Sequence, residues 1–262
     1  MAVGKIVIFL VSAILVLSES YYVSPVKKCD RRDNECLKNY FQSVVWEVAK
    51  NGYPQLGIPI LDPVEIKNYY ESVAGWLDLE MVEGVGQGMR SCVVDKFRLD
   101  FDKRYGFVEV ICDVSVNGHY RAFSNSSLIR NLLDGDLIHG SGNGGVKLDK
   151  VKLSYDFRFK VENRGGVNYL NCNFEGSKTG VDILQGLTFS ADNLYLAEVE
   201  ASDLIIGVMN QYWKMIIRAT GVPVLDGFFK FIFDLTQRYF NNVPVSNYLY
   251  EDVSPYVFRK FY

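Results

Sequence analysis

One stretch of strict alternation constrains the fold of this chain more than any other feature. From Val151 to Val161 every odd position is apolar and every even position is polar. Successive side chains of a β-strand point to opposite faces, so this pattern predicts a strand with one dry face and one wet face. A face this polar must meet water. The sequence therefore predicts an antiparallel sheet that covers an apolar interior with one face only.

The same period of two recurs between about residues 75 and 200. Two further runs flank a turn near residues 103–106 and predict a hairpin with one dry face: Phe97, Leu99 and Phe101 come before the turn, and Val108, Val110, Cys112, Val114 and Val116 follow it. A second turn is predicted at Asn163–Gly166. The apolar phase changes between Tyr169 and Leu170, which predicts a bulge that helps the sheet to curl.

A helix is predicted before the sheet. Asp33 or Asn34 can cap it, its apolar side chains recur at helical spacing, and Gly52 lies just beyond its end. The segment 53–63 contains three prolines, which predicts a rigid, extended strap because proline disfavours helical geometry for itself and for its predecessor. The N-terminal part is therefore one amphipathic helix followed by a strap.

The C-terminal part returns to helical spacing. Residues 203–240 are apolar almost all round, and a helix without a polar face is a buried helix. Gly221 and Pro223 are expected to kink it. A one-sided sheet and an apolar helix satisfy each other if the sheet wraps the helix. The predicted fold class is therefore α+β, with a long, strongly curved antiparallel sheet wrapped around a long C-terminal helix and a short amphipathic helix at the N-terminus.

The first residues predict export. Lys5 precedes an uninterrupted apolar run from Ile6 to Leu17, with the small residue Ser18 next; this is typical of a signal peptide and too short for a membrane span. We expect residues 1–18 to be removed, with cleavage at about 18–20. Residues 19–262 are then a single secreted domain without a transmembrane segment. With 28 basic and 31 acidic residues, the chain lacks the positive surface that nucleic acid requires.

Five cysteines in an exported chain leave at least one unpaired. Cys29 and Cys36 flank a polar segment just before the predicted helix. They are expected to form a disulfide that fixes the N-terminus to the fold.

The other cysteines lie on predicted strands. Cys112 shares the apolar phase of its strand, whereas Cys92 shares the polar phase, so the two are not expected to pair unless a bulge intervenes at Val93–Val94. Cys112 and Cys172 both point inward. They are either a pair or two buried thiols.

Catalytic and cofactor motifs are weak. Gly140–Gly145 formally matches the dinucleotide-binding fingerprint, but an alternating strand follows where a helix is needed, so we interpret it as a flexible turn. His119 and His139 have no catalytic or metal-ligating partner at a recognisable spacing and are expected in turns or at the surface. The sequence predicts no enzyme, no metal and no cofactor. Asn125 begins a sequon and is the expected glycosylation site.

Two N-terminal segments resemble the signature of the insect takeout and juvenile hormone-binding protein family: Cys-x6-Cys-Leu at 29–37 and Asn-Gly-Tyr-Pro-Gln-Leu-Gly-Ile-Pro-Ile-Leu-Asp-Pro at 51–63. Gly118-x-Tyr120, Asn193-Leu194-Tyr195 and Met209–Trp213 resemble the family in order and spacing. The resemblance covers essentially the whole mature chain. It implies a TULIP-like fold whose curved sheet encloses a tunnel for lipophilic ligands such as terpenoid hormones or long-chain lipids.

The resemblance also bears on the cysteines. It implies the bridge between Cys29 and Cys36. Hormone-binding members have a second bridge, of which Cys172 would be one half, but no cysteine lies in the region 210–213 where its partner is expected. This places the chain nearer the takeout branch.

The predicted function is that of a secreted carrier, which binds a lipophilic small molecule in an internal apolar tunnel. The residues predicted to line it are Phe97, Leu99, Phe101, Val110, Tyr120, Tyr155, Phe157, Phe159, Trp213 and Ile217. Tyr155 or Tyr120 is expected to anchor a polar group of the ligand. We expect a monomer, with an extracellular receptor as a second partner. The alternative is an extracellular signalling or interaction protein whose tunnel is filled or not used for transport; a hydrolase built on His119 or His139 ranks third.

Overall fold

The computed structural model of the chain describes residues 27–73, 77–124, 137–220 and 223–257. Within these ranges an open antiparallel sheet has nine strands: β1 Val64–Val73, β2 Leu77–Gln87, β3 Val93–Asp100, β4 Tyr105–Phe123, β5 Ile138–Arg164, β6 Val167–Asn173, β7 Thr179–Ala191, β8 Leu194–Leu196 and β9 Val199–Glu200. The helices are α1 Asn34–Asn51, α2 Ser202–Gln211, α3 Trp213–Thr220 and α4 Pro223–Asn242. The predicted fold class is confirmed. The predicted signal peptide and Asn125 lie outside the described residues.

β4 and β5 form the spine of the sheet. They pair from Tyr105, opposite Arg158, to Phe123, opposite His139. β3 and β6 flank one part of this pair, and β2 and β8 flank the other, with β1 beyond β2 and β9 beyond β8. β7 pairs with residues 144–155 of β5 and so lies beside both parts. We refer to residues 105–112 of β4 with 151–164 of β5 as the aromatic half, and to 114–123 of β4 with 138–148 of β5 as the glycine half.

An irregularity in β5 joins the two halves. Cys112 lies opposite Val151 but Val114 lies opposite Leu148, so β5 contains one extra residue here. Lys150 takes up the irregularity with a left-handed φ of 55°. A slip of one residue exchanges the faces of a strand. The inward positions of β5 are therefore even-numbered in the glycine half and odd-numbered in the aromatic half.

The turn predicted at Asn163–Gly166 is confirmed, and its two glycines have left-handed φ values of 59° and 88°. The bulge predicted in β6 is wrong, because β6 pairs with β5 along its length without a register shift. The apolar phase changes there for another reason. Val167 and Tyr169 lie on the outer face, where the guanidinium of Arg164 sits 5.0 Å from the Tyr169 ring centroid. A cation over the ring makes an outward tyrosine favourable.

The predicted N-terminal helix is α1, and the Cys29–Cys36 disulfide is confirmed. The side chain of Asp33 caps the helix by accepting a hydrogen bond from the Cys36 amide at 2.9 Å. The helix ends at Gly52, whose φ is 64°. The bridge and the cap therefore act on the same turn of the chain.

The strap predicted at 53–63 is not extended throughout. Pro54–Leu56 forms a 3-10 turn, enclosed by the pairing of Tyr53 with Ile58. Proline at the first position of a helical turn supplies the φ that the turn needs, and its missing amide is no loss there. The proline rule used on the sequence applies to the interior of a helix, which is why it failed here.

Cys92 and Cys112 form a second disulfide, so the expectation that they do not pair is wrong. The register of β3 shifts at Asp95, and Cys92 faces inward before this shift as Phe97 does after it. The parity argument extended the phase of Phe97 back through the bulge. Pairing of Cys112 with Cys172 is also excluded, because Cys172 is a buried free thiol.

A long C-terminal helix is present as α4, but the expectation that residues 203–240 form one helix buried all round is wrong. This segment is divided into α2, α3 and α4, with a break at Tyr212 between the first two; Gly221 lies outside the described residues and Pro223 begins α4. The second part of α4 is buried through Phe229, Leu235, Tyr239 and Phe240. The sheet covers one side of α2, and Leu204 on that helix is 64% exposed. On α3, Met215 is 62% exposed. In the described part of the chain, helices are too short or too polar to cross a membrane.

The glycine run at 140–145 is part of β5 rather than a flexible turn, and His119 and His139 lie in strands rather than turns. Glycine is needed here for close approach. A Cβ at Gly145 would overlap the carbonyl oxygen of Val116, and one at Gly118 would overlap the backbone of Glu83 and Gly84. Missing side chains therefore let neighbouring strands come together.

We expect Gly118→Ala to lower the free energy of unfolding by about 1–3 kcal/mol, because the added methyl group overlaps backbone that cannot rotate away. Gly207→Ala is the matched control: it lies in α2 with open space around it, and should raise stability by up to about 1 kcal/mol. Urea unfolding followed by circular dichroism measures both. Equal stability of the two variants would contradict the account of the glycine half.

Candidate ligand-binding site

Most of the predicted lining residues lie in one large apolar cluster in the aromatic half. Six of them are buried there: Phe97, Leu99, Phe101, Tyr155, Phe157 and Phe159. Val110 packs partly buried against the same cluster. The rings contact other rings, with Phe97 stacked on Phe41 at 3.9 Å and Phe157 5.9 Å from Phe240. Side chains of α1 and α4 therefore occupy the space over this half of the sheet.

The two tyrosine hydroxyls predicted as anchors have protein partners. Tyr155 Oη lies 3.0 Å from Thr236 Oγ1 on α4, and Tyr120 donates to the carbonyl oxygen of Asp192 at 2.7 Å. Loss of hydration raises the pKa of each phenol to about 12. Both hydroxyls therefore stay neutral and help to hold the fold.

A second, small cluster of buried apolar residues lies at the far end of the glycine half: Tyr120, Ala122 and Leu194. Two rows of paired residues cross the inner face between the clusters: Val114, Leu148 and Leu187 form one row, and Val116, Val146 and Phe189 form the other. Only Leu187 of these is buried. The others are half-buried, although they point inward. This part of the inner face is therefore apolar but incompletely covered by the described residues.

Small residues make the next row of the same face: Gly84, Gly118, Gly144 and Ala191. Two larger side chains lie over these positions. Met81 Sδ is 2.9 Å from where a Cβ at Gly84 would stand, and a Tyr120 ring carbon is 2.9 Å from the corresponding position at Gly144. Met81 and Tyr120 therefore cover the sheet between the two apolar rows and the small cluster.

Helix α2 lies against the edge of this region, and α3 follows it. α2 contacts β7, β8 and α3, while α4 contacts β6 and β1. Both α2 and α3 carry half-buried apolar side chains: Ile205, Ile206, Met209, Trp213, Ile216 and Ile217. Trp213 and Ile217, both predicted to line the site, thus lie apart from the aromatic cluster.

One side chain fastens α2 to the sheet. The amide of Phe189 donates to Asn210 Oδ1 at 2.7 Å, and Asn210 Nδ2 donates to the carbonyl oxygen of Phe189 at 3.0 Å. Asn210 thereby replaces a neighbouring strand at the free edge of β7. Sequence reasoning noted the Met209–Trp213 motif but missed this role. Alternate glycines at 140, 142 and 144 were the other missed signal, since period two places them on one face.

Polar chemistry at this end of the sheet is limited. His139 Nε2 lies 2.9 Å from the carbonyl oxygen of Ala197, and its ring stacks on Tyr195 at 5.5 Å. His119 Nε2 lies 3.3 Å from Ser141 Oγ on an exposed surface. The described residues contain no group of three or more potential ligands that could hold a metal ion.

Comparison with known proteins agrees with this geometry. A family model described as Haemolymph juvenile hormone binding protein (JHBP) matches residues 6–249. The chain belongs to this family. Among solved structures, the crystal structure of Epiphyas postvittana Takeout 1 is similar to this chain, with a TM-score of 0.73 and 24% sequence identity. The match covers 86% of this chain and 100% of the Takeout 1 chain. At this identity the likeness shows the fold alone. No curated protein sequence matches the chain significantly.

We expect Asn210→Ala to loosen α2 from the edge of β7, because the partly buried Phe189 amide and carbonyl lose their partners. The loss should be about 1–3 kcal/mol. Native-state hydrogen exchange, read at the Phe189 amide, measures it directly. Gln211→Ala, which changes an exposed neighbour, should leave exchange of the Phe189 amide unchanged. If the Phe189 amide stays protected in Asn210→Ala, the two hydrogen bonds of Asn210 do not hold α2 in place.

Proposed function

We propose that this JHBP-family protein is a secreted carrier, which binds a lipophilic small molecule between the inner face of the glycine half and helices α2 and α3. One observation carries the proposal. The row formed by Val116, Val146 and Phe189 points inward and is apolar, yet all three side chains are only half-buried. A lipophile laid against them removes this surface from water, with about 0.8 kcal/mol for each methylene that is buried.

The ligand class is a terpenoid hormone or a long-chain lipid. Tyr120, Trp213 and Ile217 contact the ligand together with the two valine-containing rows. The aromatic residues around Phe157 form the closed end of the site, because their rings are packed on one another. Family membership supports a binding protein in preference to an enzyme.

Secretion is part of the proposal. The apolar run from Ile6 to Leu17 provides the export signal. The disulfides Cys29–Cys36 and Cys92–Cys112 suit an oxidising compartment, and the sequon at Asn125 is accessible to glycosylation only along that route.

A second candidate function is extracellular signalling through a receptor. It is favoured by the outer sides of α2 and α3, where Leu204, Val208 and Met215 are 64%, 48% and 62% exposed. Exposed apolar side chains that follow one another along a helix are typical of protein contacts. In that function the protein need not release its ligand.

We expect the secreted protein to carry a lipid when it is purified without detergent. Extraction with organic solvent followed by mass spectrometry should detect a lipophile in a near-stoichiometric amount, because the half-buried rows retain an apolar occupant. Protein unfolded and refolded after extraction is the control. Extracts without lipid, together with no binding of a fluorescent fatty-acid probe, would exclude the carrier function.

Val146→Trp should abolish probe binding while the protein stays folded, since the indole would occupy the space over the valine rows. A loss of at least about tenfold in affinity is expected when an apolar occupant is displaced. Lys147→Trp is the matched control, because the adjacent side chain points to the outer face. Both are measured by fluorescence titration, with circular dichroism to confirm folding. Equal affinities would place the ligand elsewhere.

A further inference from the structure

A hydrogen-bonded pair of polar side chains lies on the inner face of β1. Tyr69 Oη donates to Glu71 Oε2 at 2.9 Å. Tyr69 lies opposite Met81 and Glu71 opposite Leu79, and these lie opposite two members of the small apolar cluster. Residues paired across strands share a face. The pair therefore borders the proposed ligand site. Its two polar side chains lie next to the apolar side chains of Met81 and Leu79 on the same face.

Helix α4 lies close to this pair. Tyr69 Oη is 3.9 Å from where a Cβ at Gly227 would stand, so the hydroxyl reaches the helix while the side chain stays 38% exposed. Loss of hydration raises the pKa of Tyr69 to about 12, and the hydrogen bond to Glu71 adds to the shift. The phenol stays protonated near neutral pH and donates its proton to Glu71.

The electrostatic surroundings of Glu71 differ from those of carboxylates on the outer face. Glu65 pairs with Lys67 at 2.8 Å, and Glu80 pairs with Arg121 at 3.3 Å. No lysine or arginine of the described ranges pairs with Glu71, and Oε1 of Glu71 accepts no hydrogen bond from them. A carboxylate among apolar neighbours is stabilised by hydrogen-bond donors. The pair is open to solvent, with Tyr69 38% exposed, so a ligand that covers it must supply the donor that Oε1 otherwise finds in water.

We propose that Tyr69 and Glu71 are the polar anchor of the site and select lipophiles that end in a hydrogen-bond donor, such as a primary alcohol, over lipophiles that end in a carboxylate. The inference rests on the carrier function proposed above. The Tyr69 proton is already committed to Glu71, so both groups offer only lone pairs to a ligand. An alcohol donates to them. A carboxylate has no proton to give and meets a like charge.

Chain-matched competitors test this anchor. N-phenylnaphthylamine, an uncharged fluorescent probe, is displaced from the full-length mature protein by tetradecanol or by tetradecanoate. We expect the alcohol to bind at least about tenfold more tightly, as one hydrogen bond to a charged acceptor predicts. In Glu71→Gln, which keeps the size of the side chain but removes its charge, this ratio should fall to about twofold or less. Tyr69→Phe should lower it by a smaller factor.

The control is Glu65→Gln, which removes the same charge from the outer face of the same strand and should leave the ratio unchanged. If the wild-type protein binds probe but does not prefer the alcohol, or if Glu71→Gln and Glu65→Gln behave alike, the anchor is overturned and the carrier function stands. If the wild-type protein binds neither probe nor competitor, the carrier function itself has failed. Circular dichroism of each variant shows whether it folds.

Discussion

The pairing of β4 with β5 is the constraint on which the rest of the structure depends. Both strands continue through the sheet, and every other strand except β1 and β9 pairs with one of them. The aromatic and glycine halves share the hydrogen-bonded pairing of β4 with β5, but they differ in the size of the side chains on its inner face. Lys150 lets β5 change phase where they meet, so one face stays inward along the whole spine. Without that irregularity, one half would present its polar side chains to the interior.

Side-chain volume decides what each half can do. In the aromatic half, Phe157 lies so close to Gly106 that a methyl group there would overlap its ring, and rings from α1 and α4 complete the packing. Density of this kind gives stability and a unique structure. In the glycine half, strands approach one another closely and few large side chains rise from the inner face. The protein thus concentrates its core at one end and leaves the apolar inner face of the other end incompletely covered.

The sequence predicts the parts in which hydropathy alternates without interruption. Val151–Val161 predicts both the strand and its inward residues. The pattern fails where one extra residue changes the phase, as Asp95 does for Cys92, because a bulge has no hydropathy signal of its own. Glycine also gives no hydropathy signal. The run at 140–145 is compatible with a turn and with a strand that approaches its neighbours closely. Apolar spacing predicts burial for Leu204, which is 64% exposed. The spacing shows which residues prefer burial, but it does not show how much of a helix the sheet can cover.

The two hydrogen bonds between the Asn210 side chain and the Phe189 backbone help to hold α2 on the incompletely packed glycine half. They satisfy both backbone groups of Phe189 with a side chain of α2, so docking of this helix does not depend on apolar contact alone. Hydrogen bonds fix where the helix lies, while Val116, Val146 and Phe189 on the inner face stay only half-buried. A polar anchor at Tyr69 and Glu71 follows the same division, since apolar surface provides affinity without direction and hydrogen bonds provide direction. In the proposed carrier function, the two valine-containing rows provide affinity for the ligand and the edge strand β1 provides its orientation.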